Sequence, residues 1–180
     1  MKKTPLVAAM ALFAACNSNP NPSTIDSTKS NQDSTVAIRP IQSPYPIAYS
    51  SSFVMDDPKN AETVLAIWKA YDGGNLSTAK DLFADTVEVH LANGLILRGA
   101  RDSILAGAQG MRNTIKAAVV NVTAVMAVKS TDKNQHWALI WGTEKDTYKN
   151  GKVDSTDLQE TWLFDNNGKA SLFFQYAEKR

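Results

Sequence analysis

The sequence predicts an α+β domain, with helices first and an antiparallel sheet after them, and three observations carry that reading. Val64, Leu65, Ile67, Trp68 and Tyr71 recur at helical spacing and stop at Gly73-Gly74. From Ala117 onward four stretches read as strands: Ala117–Val128, His136–Tyr148, Val153–Phe164 and Ala170–Tyr176. Turn signals separate them at Asp132-Lys133-Asn134, Asn150-Gly151 and Asn166-Asn167-Gly168. Helices followed by sequential hairpin-linked strands belong to the α+β class. A mostly antiparallel sheet that curls around three helices makes a cone with one open mouth, a common place for a ligand.

The elements follow in order. Lys2 and Lys3 precede an apolar run from Leu6 to Ala15, about half the ~20 residues a membrane span needs, so residues 1–15 read as a secretory signal. Leu12-Phe13-Ala14-Ala15-Cys16 resembles a bacterial lipobox, whose cysteine takes lipid and becomes the mature N-terminus; Phe13 stands where an aliphatic residue is usual. An ordinary cleaved signal with an incidental Cys is the alternative. Several acyl chains on Cys16, at about 0.8 kcal/mol per buried methylene, would anchor the chain to the membrane. That places it in a bacterial cell envelope, lipid-anchored on the periplasmic side. Residues 16–35 are mostly Ser, Asn, Pro, Thr, Asp and Gln and read as a disordered tether. Residues 36–56 carry Ile38, Ile41, Tyr45, Ile47, Tyr49 and Phe53 among Pro40, Pro44 and Pro46. The prolines argue against a helix or an internal strand. Either this is an extended arm lying on the domain, or it is a linker with apolar residues in it.

The domain occupies residues 57–180. Asp57-Pro58 offers a helix cap and a proline at the first turn. A short second helix carries Leu76, Ala79, Leu82 and Phe83 on one side. Thr86 to Leu91 alternates as a strand, Asn93-Gly94 turns the chain, and Leu95 to Leu97 returns. A third helix runs from Ala100 to about Ile115 through the small residues Ala106, Gly107, Ala108 and Gly110.

With that order in place, Leu82-Phe83-Ala84-Asp85 after two helices, Leu97-Arg98-Gly99 before the third, and Glu160-Thr161-Trp162-Leu163-Phe164-Asp165 with Asn167-Gly168-Lys169 near the end resemble the nuclear transport factor 2-like superfamily, SnoaL-like group. The resemblance spans Pro58 to Arg180 and implies the cone-shaped, cystatin-like α+β barrel. Members include isomerases, cyclases, dehydratases, immunity proteins and transport proteins, so fold does not fix function. In the isomerase branch three positions matter: a tyrosine on the first helix, an acidic base at the end of the first strand, and a neutral carboxylic acid on a late strand. The resemblance puts these at Ile67, near His90, and at Glu160. Ile67 cannot donate a hydrogen bond, and Tyr71, one turn on, is the available substitute.

The residues can be weighed on their own terms. Glu160, Trp162 and Phe164 share one strand face, and a carboxyl beside two aromatics on an inward face loses hydration. It is then either a neutral acid that grips a ligand oxygen or a carboxylate paired within a polar layer of the sheet. His90 is either a base near Glu160 or a polar residue at the rim. Trp137, Leu139 and Trp141 line one face of their strand; with Trp162 these indoles either fill the cone or wall a ligand site. By the resemblance, Gln175 points inward.

Composition excludes other classes. Lys+Arg 19 against Asp+Glu 18 leaves a net charge of +1 with no basic stripe, which argues against nucleic acid. One Cys permits no intrachain disulfide, and His90 and His136 lack metal-ligand spacing, so neither a metal nor a cofactor is expected. No phosphate-binding loop, dinucleotide fingerprint or serine-hydrolase elbow is present. The sequence reading is a periplasmic, noncatalytic module that holds a small apolar ligand or a partner through Ile67, Trp137, Trp141, Trp162 and Gln175. The alternative is an isomerase or lyase acting on a small apolar carbonyl substrate through Glu160 with His90 or Tyr71. A homodimer would show as an apolar stripe on the outward face of the last three strands.

Overall fold

The first helix of the domain, α1 (Lys59–Asp72), starts where Asp57 accepts a hydrogen bond from the Lys59 N–H through Oδ1 at 2.9 Å and Pro58 supplies the first helical carbonyl, to Glu62. It ends at Gly73-Gly74 because Gly74 takes φ +77°, a left-handed conformation open to glycine. That turn lets the Gly74 and Asn75 N–H groups return to Tyr71 and Ala70 carbonyls. Asn75 then caps a 3-10 helix, Leu76–Leu82, through its side chain. The computed structural model describes residues 41–180; the expected signal (1–15), Cys16, the tether (16–35) and residues 36–40 of the arm lie outside the described residues.

The remaining elements are β1 (Phe53–Met55), β2 (Phe83–His90), β3 (Ile96–Ala100), α2 (Arg101–Arg112), β4 (Ile115–Ser130), β5 (His136–Tyr148), β6 (Val153–Phe164) and β7 (Ala170–Lys179). They form one curved, unclosed seven-stranded sheet in the order β1-β4-β5-β6-β7-β2-β3. Neighbours run antiparallel except β2 and β7, which are parallel. The predicted third helix is α2, and its small residues do not interrupt it.

The helices pack on one face of the sheet, called inner below. Val64, Ile67 and Trp68 of α1 meet Phe83, Val87 and Val89 of β2, Ala138 and Ile140 of β5, and Trp162 and Phe164 of β6. Gly142 makes the closest approach: a Cβ there would lie 2.9 Å from the Trp68 ring and 2.8 Å from the Asn121 carbonyl, so the indole takes the space a side chain would fill. In contrast, α2 is held by polar side chains. Gln109 accepts from the Leu76 N–H and donates to the Gly74 carbonyl. Arg112, itself buried, donates to the carbonyls of Tyr71, Asp72 and Ile115 at 2.6–2.9 Å. A guanidinium on the last carbonyls of α1 also complements the negative end of the helix dipole.

The described part of the arm, residues 41–56, lies on the domain. Phe53–Met55 adds a short edge strand against β4, where its two preceding prolines, Pro44 and Pro46, are out of the ladder. Thr131 N–H bonds the Ser52 carbonyl, and Asp56 meets His136 Nδ1 at 2.6 Å. Burial pushes the Asp56 carboxyl up, but the His136 hydrogen bond and nearby charge outweigh it and hold the group below its usual range.

Candidate functional site

Glu160 sits on the inner face opposite Ile140 and Gln175, and only 5% of it is exposed. Its Oε2 accepts from the indole N–H of Trp68 at 2.7 Å and of Trp162 at 3.0 Å. Its Oε1 accepts from the Gln175 amide at 2.9 Å. Burial raises its pKa, and the three donors work against that rise. Both oxygens are therefore engaged inside a packed cluster, with two indole rings filling the space beside them. Such a carboxyl fastens α1 to β6 and β7; it has no free oxygen to offer a substrate. Ile67, at 5% exposure, belongs to the same apolar cluster.

The other residues named from the sequence do not join Glu160. Residues paired across strands share a face. Trp137 pairs with Leu163 and Trp141 with Gln159, one residue out of phase with Glu160, so both indoles lie on the outer face. The expectation that Trp137 and Trp141 line the cone together with Trp162 and Gln175 is corrected here. The alternation of β5 was legible, but which parity faced the helices was not. His90 pairs with Phe174, which opposes Thr161, and so it too faces outward. Its Nε2 lies 2.7 Å from Glu88, and its ring rests 4.6 Å from that of Phe174. His90 cannot serve as a base for Glu160 through the thickness of the sheet. Tyr71 stands with a different pair of acids, Glu144 and Asp146. The three residues of the catalytic alternative thus go to three places.

The acid pair was not singled out from the sequence. Glu144 and Asp146 alternate on β5 with Ile140 and Gly142 on the inner face, nearer the strand's end. The two carboxyls lie close enough that their interaction favours a proton on Glu144. Burial, then the charge of Asp146, pushes Glu144 up to about 8. Burial also raises Asp146 and Asp72. Burial and then the Glu144 and Asp146 charges push the Tyr71 phenol up as well. One oxygen each of Asp72, Glu144 and Asp146 is buried without a hydrogen-bond partner among the described residues. The signal available in the sequence was parity: Glu144-x-Asp146 is in phase with Ile140, which the register puts opposite Glu160.

Glu160 lines neither of two hollows formed by the described residues. The apolar one, about 470 Å³, lies on the outer face. Tyr49 and Phe53 of the arm wall one side; Met126 and Val128 of β4, Trp137 and Leu139 of β5, Thr161 of β6, and Phe174 and Tyr176 of β7 form the rest. Tyr49 stands edge-on to Trp137 with centroids 5.1 Å apart and to Phe174 at 5.9 Å. The second hollow, about 520 Å³, lies at the rim by His90, Leu91, Gly94, Ile96 and Gln175. Among the described residues no group of three or more His, Cys, Asp or Glu is placed to hold a metal ion.

No family model matches the sequence, and no curated protein matches it. Solved structures do resemble it. An NTF2-like protein of unknown function from Burkholderia pseudomallei is 18% identical, with a TM-score of 0.54 over 67% of this chain and 91% of that one. An epoxide hydrolase of the LEH-like kind from Mycobacterium tuberculosis is 12% identical, TM-score 0.54, over 67% and 83%. A putative polyketide cyclase from Streptomyces antibioticus, IdmH, is 13% identical, TM-score 0.51, over 66% and 91%. At these identities the likeness is one of fold: the domain has the NTF2-like fold.

Proposed function

We propose that this chain is a lipid-anchored binding module of a bacterial cell envelope, facing the periplasm, that holds a small ligand or a partner without catalysis at its interior acid. One observation carries the proposal. The Glu160 carboxyl, the residue best suited by position to interior chemistry, is saturated by Trp68, Trp162 and Gln175 within a packed core. Burial of an acid with all its partners supplied stabilises and specifies a fold. The open apolar surface lies on the opposite face of the sheet, which is where a binding role has room. The anchor rests on Cys16 at the end of the apolar run. Mass spectrometry of the native chain extracted in detergent should find a co-purifying molecule or partner; reproducible emptiness would sink the binding reading. Cys16→Ser should move the chain to the soluble fraction, and persistence in the membrane would remove the anchor.

A second reading is favoured by Glu144. A carboxylic acid held protonated near neutral pH beside the acidic Asp146 is a pair suited to general acid and base roles. The likeness to an epoxide hydrolase suggests the class to try, ring opening of a small epoxide by water. Incubation with a panel of epoxides should then give diols that Glu144→Gln fails to form. Absence of turnover by the unaltered chain across the panel eliminates this reading.

A further inference from the structure

The outer-face hollow has features that a plain apolar patch lacks. Its floor includes Trp137, only 4% exposed, whose indole N–H is buried and has no acceptor among the described residues. Thr161, the only aliphatic polar side chain in the lining, accepts from the Gln159 amide and keeps its own hydroxyl proton free to donate. No charged side chain lines the hollow. Its volume of about 470 Å³ falls within the ~300–1,000 Å³ range of small-molecule sites.

We propose that the groove between the arm and the outer sheet face binds a neutral, hydrocarbon-rich small molecule bearing a carbonyl-type oxygen, with the Thr161 hydroxyl as its hydrogen-bond donor and the Trp137 ring beneath it. The inference rests on the binding reading above and gives it a place and a ligand class. Chemistry favours this occupant. A hydroxyl free to donate calls for an acceptor, and uncharged walls would leave a charged ligand unpaired. Shape favours it over a second copy of the chain. Phe53 and Tyr176, 39% and 60% exposed, stand at the rim while Trp137 is recessed between strand and arm, where a flat protein surface does not reach. Tyr49 is the ring a ligand meets beside the indole, and it sits on a segment of irregular backbone rather than in a strand.

The test uses the full Cys16→Ser chain, free of detergent, titrated with prodan, a neutral naphthalene ketone whose emission shifts to the blue in an apolar site. Saturable one-site binding is expected. Thr161→Val, which keeps the side chain's shape and deletes the donor, should weaken it by about 3- to 10-fold, the effect of one hydrogen bond. Met126→Arg, at a half-exposed wall position, should weaken it further without changing the fold. Glu62→Gln, exposed on α1 on the other side of the sheet, should leave it unchanged. Binding that is indifferent to both groove variants overturns the groove assignment while leaving the binding-module reading in place. A chain that sediments as a dimer, dissociates on Met126→Arg and excludes prodan makes the occupant a second copy and also overturns the assignment. No prodan binding, together with an empty native extract, removes both the inference and the reading beneath it.

Discussion

The two faces of this sheet treat the same side chain in opposite ways. On the inner face, the indole N–H groups of Trp68 and Trp162 both end on one carboxylate oxygen of Glu160. On the outer face, the N–H of Trp137 is equally hidden from water and has no acceptor among the described residues. Burial alone therefore does not distinguish core from site here; satisfaction does. Around Glu160 the donors and acceptors close on one another, whereas Trp137 offers its face, not a paired N–H, to the outer hollow.

The comparison breaks first if Glu160 proves dispensable. Glu160→Ala strips the acceptor from two buried indoles and a half-buried amide and should cost about 3–5 kcal/mol in urea unfolding, as removal of one member of a buried polar network does. A loss below about 1 kcal/mol would mean the inner face is not held this way. Gly142→Ala comes next. Its methyl would sit 2.9 Å from the Trp68 ring and displace that indole from Glu160, for about 2 kcal/mol of overpacking. Thermal unfolding checks this, and a neutral result would show the helix free to shift.

The acid pair sharpens the contrast through pH. Because Glu144 has a raised folded pKa of about 8, the folded state holds its proton where the unfolded chain has lost it. Stability from this group is thus full below about pH 4.5 and declines as pH rises through about 8. The difference between the unaltered chain and Glu144→Gln across that window should be on the order of 2 kcal/mol, less than the full shift implies. The carboxyl keeps some solvent screening and titrates together with Asp146. Parallel curves for the two proteins would place the proton elsewhere. The smallest effect compares two indoles. Trp68→Phe should cost about 1–2 kcal/mol through its lost bond to Glu160, whereas Trp137→Phe has no bond to lose and should cost under about 1 kcal/mol. Equal losses in chemical denaturation would erase the distinction between the faces.

Much of this architecture could be read from the chain because it is written in local terms. Gly73-Gly74 ends α1, Asn150-Gly151 and Asn167-Gly168 turn the hairpins, and the strands fall between them. The inward set Glu160, Trp162 and Phe164 was also legible, since its polar member comes with two aromatics. The site was harder because it depends on which parity of each strand meets the helices. On β5 the large residues Trp137, Leu139 and Trp141 face outward, and the small ones, Ala138 and Gly142, face α1, since Trp68 already fills that space. Size misled where contact decided. His90 was lost for a related reason: its face follows from the parallel pairing of β2 with β7, a link between distant segments that no local pattern records. Glu144 and Asp146 were hidden among polar residues at a strand end, and only the register brings them to Tyr71.

One feature of the sheet bears on how copies of this protein coexist. β4 is sixteen residues long, but β1 pairs with only its last three, Val128 to Ser130. Among the described residues no strand pairs with the rest of that border, which includes the exposed Val119 and Val122. The register slips twice along it, between Ile115 and Ala117 and between Val122 and Ala124. Each slip breaks the straight run a foreign strand would need to zip on, so the irregularity of β4 is a safeguard against fibrous self-association.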